Sequence, residues 1–142
     1  MSIWFNKEIK LSDLSPINSN TMAQQLGMEW VNITDSSLSM KMPVDHRTKQ
    51  PFGILHGGAS CALAETVGSV ASQMVINCDQ FICVGLDINA NHIRSVSEGY
   101  VTAICQPIHI GKSTHVWDIR ISNDQQQLVC ISRLTVAILN KK

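Results

Sequence analysis

The sequence has no basic run, no C-x-x-C pair and no long stretch free of polar residues. The first absence removes the usual footprint of a nucleic-acid or acidic-membrane partner. Eleven Lys and Arg are matched by eleven Asp and Glu, and they do not cluster. The second removes a zinc site or a disulfide framework. The five cysteines, Cys61, Cys78, Cys83, Cys105 and Cys130, are an odd number at wide spacings and read as free thiols in a reducing cytoplasm. The third removes a membrane span. Residues 59–76, ASCALAETVGSVASQMVI, come nearest to one, and Glu65 at their centre is too costly in lipid. The opening MSIWFNKEIK lacks the basic start and apolar core of a secretory leader. There is no G-x-S-x-G elbow, no Rossmann or P-loop glycine pattern, and no H-x-x-x-H spacing among the five histidines. A serine triad, a nucleotide cradle and a metal site therefore all lack their local signatures, and no metal is expected.

What is present describes a chain that buries a great deal. It has 142 residues, 44% hydrophobic and 15% charged, which fits a single domain over residues 1–142. Few charges and zero net charge suggest that subunit contacts cover part of the surface. Residues 1–9 read as a short strand, Ser12 or Ser19 as caps of short helices, and Gly27 as a helix stop. Residues 28–42 read as strands, with Leu38, Met40 and Met42 on one face. A polar loop at 43–53 leads into a helix from Gly57 to Ile76, about 30 Å long at 1.5 Å per residue. Then FICVGLDINANHI alternates, placing Val84, Leu86, Ile88 and Ala90 on one face. Three more β-segments follow, separated by turns at 111–113 and 123–125. A helix apolar nearly all round must be wrapped, and successive strands with short turns form an antiparallel sheet. The pattern is an α+β fold, a long central helix in a curved antiparallel β-sheet with one edge that a second chain can extend.

Glu65 is the residue that needs a reason. It is either a structural carboxylate paired with Arg47 or Arg94, or an acid–base or nucleophilic group in a partly dry cleft. Ser69, one turn on, shares its face and can aim a water, or it is simply a small residue for close packing. His56-Gly57-Gly58 opens the helix, where the first N–H groups lack internal acceptors and glycine permits close approach. Such a mouth suits an anion or a developing oxyanion. His56 and Glu65 are nine positions apart, about 13 Å of helical rise and on nearly opposite faces. If both serve one site, two chains must build it. Gly111-Lys112-Ser113-Thr114 is either a phosphate-receiving turn or an ordinary hairpin, and Arg94 either a phosphate partner or a solvated charge.

Four colinear segments then carry a resemblance: MPVDHRTKQPFGILHGGASCALAETVGSVA, VGLDINANHIRSVSEG, QPIHIGKSTHVWDIRI and SRLTVAIL. Together they resemble the hotdog-fold acyl-CoA thioesterases, in the bacterial branch that includes the 1,4-dihydroxy-2-naphthoyl-CoA hydrolase of menaquinone synthesis and the proofreading thioesterase of enterobactin synthesis. The resemblance implies a dimer with one continuous sheet and a shared site, assembled further into a homotetramer. It implies Glu65 as the catalytic carboxylate and the Gly57 N–H as the group that polarises the thioester carbonyl. Gln50 and His56 would hold the acyl carbonyl, and Ser69 would steady the water or carboxylate. For coenzyme A it implies Gly85, the run His92, Ile93, Arg94 and Ser95, and the turn His109, Gly111, Lys112, Ser113 and Thr114. No cofactor is implied beyond coenzyme A as part of the substrate. The rival readings are an acyl-CoA or acyl-carrier-protein hydratase-dehydratase, a thioesterase acting on a carrier protein, and a non-catalytic acyl-CoA-binding protein.

Overall fold

A computed structural model describes residues 1–142 throughout. A 3-10 helix (Leu11–Asn18) and a short helix α1 (Met22–Gln25) precede strands β1 (Glu29–Ile33) and β2 (Leu38–Pro43). The long helix α2 (Gly57–Val75) follows, then β3 (Phe81–His92), β4 (Tyr100–Ile110), β5 (Thr114–Asn123) and β6 (Leu128–Asn140). The six strands form one antiparallel sheet in the order β1-β2-β4-β5-β6-β3. It curls around α2, whose Leu63, Ala64, Val67, Gly68 and Ala71 are buried against it. Burying side chains of the size of Leu63 or Val67 contributes about 1.5–3 kcal/mol each. Small residues let the sheet come close: a Cβ on Gly68 would lie 2.5 Å from Leu134 Cδ2.

Three local expectations are corrected by long-range contacts. Residues 1–9 form no strand. They are a strap: Trp4 is buried and donates Nε1–H to the Thr34 carbonyl at 2.6 Å, and the Phe5 N–H meets the Met74 carbonyl at the end of α2 at 2.8 Å. Neither Ser12 nor Ser19 is a helix cap in the expected sense. Asp13 closes the first 3-10 turn by accepting from the Lys10 N–H, and Thr21 caps α1 by accepting from Gln24 N–H. Gly27 does end that helical stretch, at φ +72°.

The third correction bears on function. The single alternating face expected for β3 is split by a bulge: Gly85 pairs with Val136 and Asp87 with Thr135, leaving Leu86 extra. Val84 and Leu86 are exposed, and the half-buried positions are Phe81 and Cys83 before the bulge and Ile88 and Ala90 after it. β3 is also a terminal strand, hydrogen-bonded only to β6. No helix is long and apolar enough to cross a membrane.

Candidate active site

The loop before α2 is pinned at several points. Thr48 Oγ1–H donates to the Pro43 carbonyl at 2.7 Å, His56 N–H to the Thr48 carbonyl at 2.8 Å, and Leu55 N–H to the Val96 carbonyl at 2.8 Å. Asp45 and Arg47 form an ion pair at 2.7 Å, and the guanidinium holds the Asp45 carboxyl well below the usual carboxylate range, at about 2. Gln50 turns its side-chain oxygen to the Phe52 N–H. That leaves the Phe52 ring 91% exposed at the loop tip. Sequence reasoning passed over Phe52; its signal was a lone aromatic between a proline and Gly53, whose φ is +82°.

His56 is the N-cap of α2. Its Nδ1 accepts from Gly58 N–H at 2.8 Å, so the ring is held with Nδ1 unprotonated. The cap takes the Gly58 donor and leaves the Gly57 N–H without an acceptor in the chain. That free amide stands at the positive end of a helix of 19 residues. The His92 ring lies over Gly57: a Cβ there would be 2.9 Å from His92 Nε2. A cavity of about 320 Å³ at this mouth is lined by Gly57, Ser60, His92, Ile93, Arg94 and Ser95 among others. The first expected coenzyme A run is thus gathered at Gly57.

Glu65 lies two turns further on. It is exposed and takes no part in the chain's ion pairs, which join Lys41 to Glu29, Asp45 to His46 and Arg47, and Arg120 to Asp118. The structural reading of a Glu65–Arg47 or Glu65–Arg94 pair is therefore overturned. The carboxylate instead lies against Gly85 of β3. Cys83 Sγ approaches the Ser69 carbonyl at 3.7 Å, and burial pushes the Cys83 thiol up, so it stays protonated. β3 therefore runs antiparallel to α2 and meets Ser69, Glu65 and Gly57 in turn through Cys83, Gly85 and His92. The turn at 111–113 sits at the Glu65 end, because Thr114 and Val84 both pair with Ala137. His92 pairs with Cys130. Seven residues of β6 separate the two ends, roughly 23 Å at 3.3 Å per residue.

One chain thus divides the expected site residues between two places. Glu65, Ser69 and the His109–Thr114 turn lie at one end of β3; Gly57, His56, Gln50 and the His92–Ser95 run lie at the other. A second cavity, about 360 Å³, lies further along the Glu65–Ser69–Gln73 stripe of α2 and is lined by Gln73, Val70, Met74, Phe5, Ile9 and Leu14 among others. No cluster of three or more His, Cys, Asp or Glu is disposed to hold a metal.

Comparison with known proteins gives the arrangement its context. Residues 52–130 match the Thioesterase superfamily. The chain is 47% identical to the 1,4-dihydroxy-2-naphthoyl-CoA hydrolase of Escherichia coli, over 96% of this chain and 99% of that protein. It is 54% identical to a Vibrio cholerae protein named only as a candidate esterase, over 97% and 91%. Its structure superposes on a single-substitution variant of a Pseudomonas aeruginosa thioesterase with TM-score 0.95 and 46% identity, covering 99% of this chain and 100% of that one. The family match over more than half of the chain, the extended identity to its relatives and the shared fold agree: the chain belongs to the thioesterase superfamily and is a hotdog-fold thioesterase.

Proposed function

We propose that this enzyme hydrolyses an aromatic acyl-CoA, with 1,4-dihydroxy-2-naphthoyl-CoA as the leading candidate, in a site shared by two protomers. The observation that carries the reading is the division of the reacting groups between the ends of β3, whose outer edge is unpaired. If two copies pair β3 antiparallel about a two-fold between Ile88 and Asn89, the Gly85 end of one opposes the His92 end of the other. Glu65 and the Lys112 turn of one protomer then face Gly57, Gln50 and Arg94 of its twin. Ile82, Val84, Leu139 and Ile104 on the outer sheet face are 45–47% exposed, which supports further assembly into a tetramer.

In this site the thioester carbonyl oxygen accepts from the Gly57 N–H, which stabilises the charge that develops there by on the order of 3 kcal/mol. Gln50 and His56 flank that oxygen. Glu65 either attacks the carbonyl carbon, expelling the coenzyme A thiolate and forming a mixed anhydride that water opens, or takes the proton from an attacking water that Ser69 helps to aim. Both routes consume one water and release free acid and thiol. Arg94 and Lys112 suit the phosphates of coenzyme A, and the second cavity, with its mostly apolar lining, suits a hydrophobic acyl group. No cofactor is needed, and five free cysteines suit a cytoplasmic protein. A naphthoyl substrate would place the enzyme in menaquinone synthesis.

Mixing Glu65→Ala with Gly57→Val subunits tests the shared site. Each homo-oligomer is expected to be inactive and the exchanged hetero-oligomer to recover activity at its one intact site. No recovery after mass spectrometry has verified exchange would remove the shared-site reading. A panel of aromatic and aliphatic acyl-CoAs ranked by kcat/KM tests the acyl class, with the naphthoyl thioester expected first.

A further inference from the structure

We propose that the bulge in β3 is the seat of the Glu65 carboxylate, and that Gly85 is a positioning residue for hydrolysis, acting through its contact with that side chain. This rests on the reading of Glu65 as the reacting carboxylate. A Cβ built on Gly85 would lie 2.8 Å from Glu65 Oε1 and 3.9 Å from its Cδ, and, apart from the adjacent Val84 and Leu86, no other residue comes within 4 Å of that point. The glycine has no conformational reason to be there. Gly27, Gly53 and Gly99 have positive φ, and Gly85 does not. Glycine inside a strand weakens it, so room is what the residue supplies. The strand loses its register at the very next residue, where Leu86 is inserted between Gly85 and Asp87. Such an insertion bends the strand locally. Glycine and bulge together form a hollow opposite Glu65. The carboxylate forms no ion pair in the chain, so this hollow, rather than a cation, limits its rotamers.

The test is a double-mutant cycle on the oligomeric enzyme. Gly85→Ala is expected to lower kcat roughly ten- to a hundredfold through misplacement of the carboxylate, with KM changed less than about threefold. Combined with Glu65→Asp, whose shorter side chain clears the methyl, it should cost less than the product of the two single effects. A raised KM at unchanged kcat would mean that Gly85 serves substrate binding alone, and the proposal would be wrong. The same holds for a parental kcat. Should Gly85→Ala fail to fold, Glu65→Ala/Gly85→Ala decides: recovery of a folded oligomer places the clash at the carboxylate, and failure shows that the strand itself needs glycine. Glu65→Ala that keeps its turnover would instead overturn the functional reading on which this rests, independently of Gly85.

Discussion

Ser72 and Glu65 sit seven residues apart on the same helix and live in opposite circumstances. Ser72 is fully buried, accepts from Trp117 Nε1–H at 2.7 Å and meets His115 Nδ1 at 3.1 Å. The His115 and Trp117 rings are themselves edge to face, 6.2 Å apart. Ser72 Oγ, the Trp117 N–H and His115 Nδ1 all find their partners within one protomer. Glu65 is exposed and unpaired, beside a strand whose outer edge is free. Ser72 and Glu65 lie on nearly the same face of α2, two turns apart: on the C-terminal, sealed side of that face polar groups tie the helix to β5, and on its N-terminal, open side they are left available for chemistry. The two sides should therefore fail differently.

The largest effect is expected on the open side. Glu65→Gln should lower kcat at least about a hundredfold, as loss of a reacting acid–base or nucleophilic group does. Its thermal midpoint should stay near the parent's, since no internal bond is lost. Full turnover in that variant would dissolve the contrast. On the sealed side, Ser72→Ala should do the reverse. It strips an acceptor from the buried Trp117 N–H and a partner from His115, at a cost of about 1–3 kcal/mol in denaturant unfolding. The kcat of the folded fraction should remain close to parental.

A smaller effect concerns pH. Burial lowers the pKa of His115 from its ordinary 6.5, so the folded state holds it neutral. Below pH 6.5 the unfolded chain binds the proton first, and stability should decline as pH falls towards the folded pKa. His115→Gln should flatten that part of the stability curve and leave the pH dependence of kcat, which belongs to the open side, in place. The smallest effect is expected at the partly exposed Asp45–Arg47 pair. Its stabilising contribution is present above the ordinary Asp value of 3.8 and is lost as pH falls towards about 2, so Asp45→Asn should cost a little stability at neutral pH, small because the pair is partly exposed, and the difference from the parent should vanish as pH falls towards about 2.

Much of the open side was legible before any coordinates. Glu65 stood out because a charge interrupted an apolar helix, and the HGG triplet because glycines cluster at its start. The nine-residue spacing ruled out one chain gripping a substrate with both. The sealed trio was not legible, because Ser72 looks like any small helix residue until β5 brings His115 and Trp117 across from it. The N-terminal strap was misread as a strand for the same reason: its apolar residues signal burial, and only the partner they find decides the form. The bulge was missed because periodicity reads alternation and carries no record of which residue the neighbouring strand skips.

The sequence by itself determined the long helix, the six strands and the antiparallel sense of the sheet, and it marked a short set of candidate residues for acyl chemistry, but not the place of β3 beside β6. These follow from side-chain period and local backbone preference, which act over a few residues. Only the tertiary structure decided that Gly85 lies against Glu65, that His92 covers Gly57, and that the candidate binding residues divide between the two ends of β3. Those facts depend on strand register. Register is set by contacts between residues far apart in the chain, whose closure is favourable only once the whole sheet has wrapped the helix.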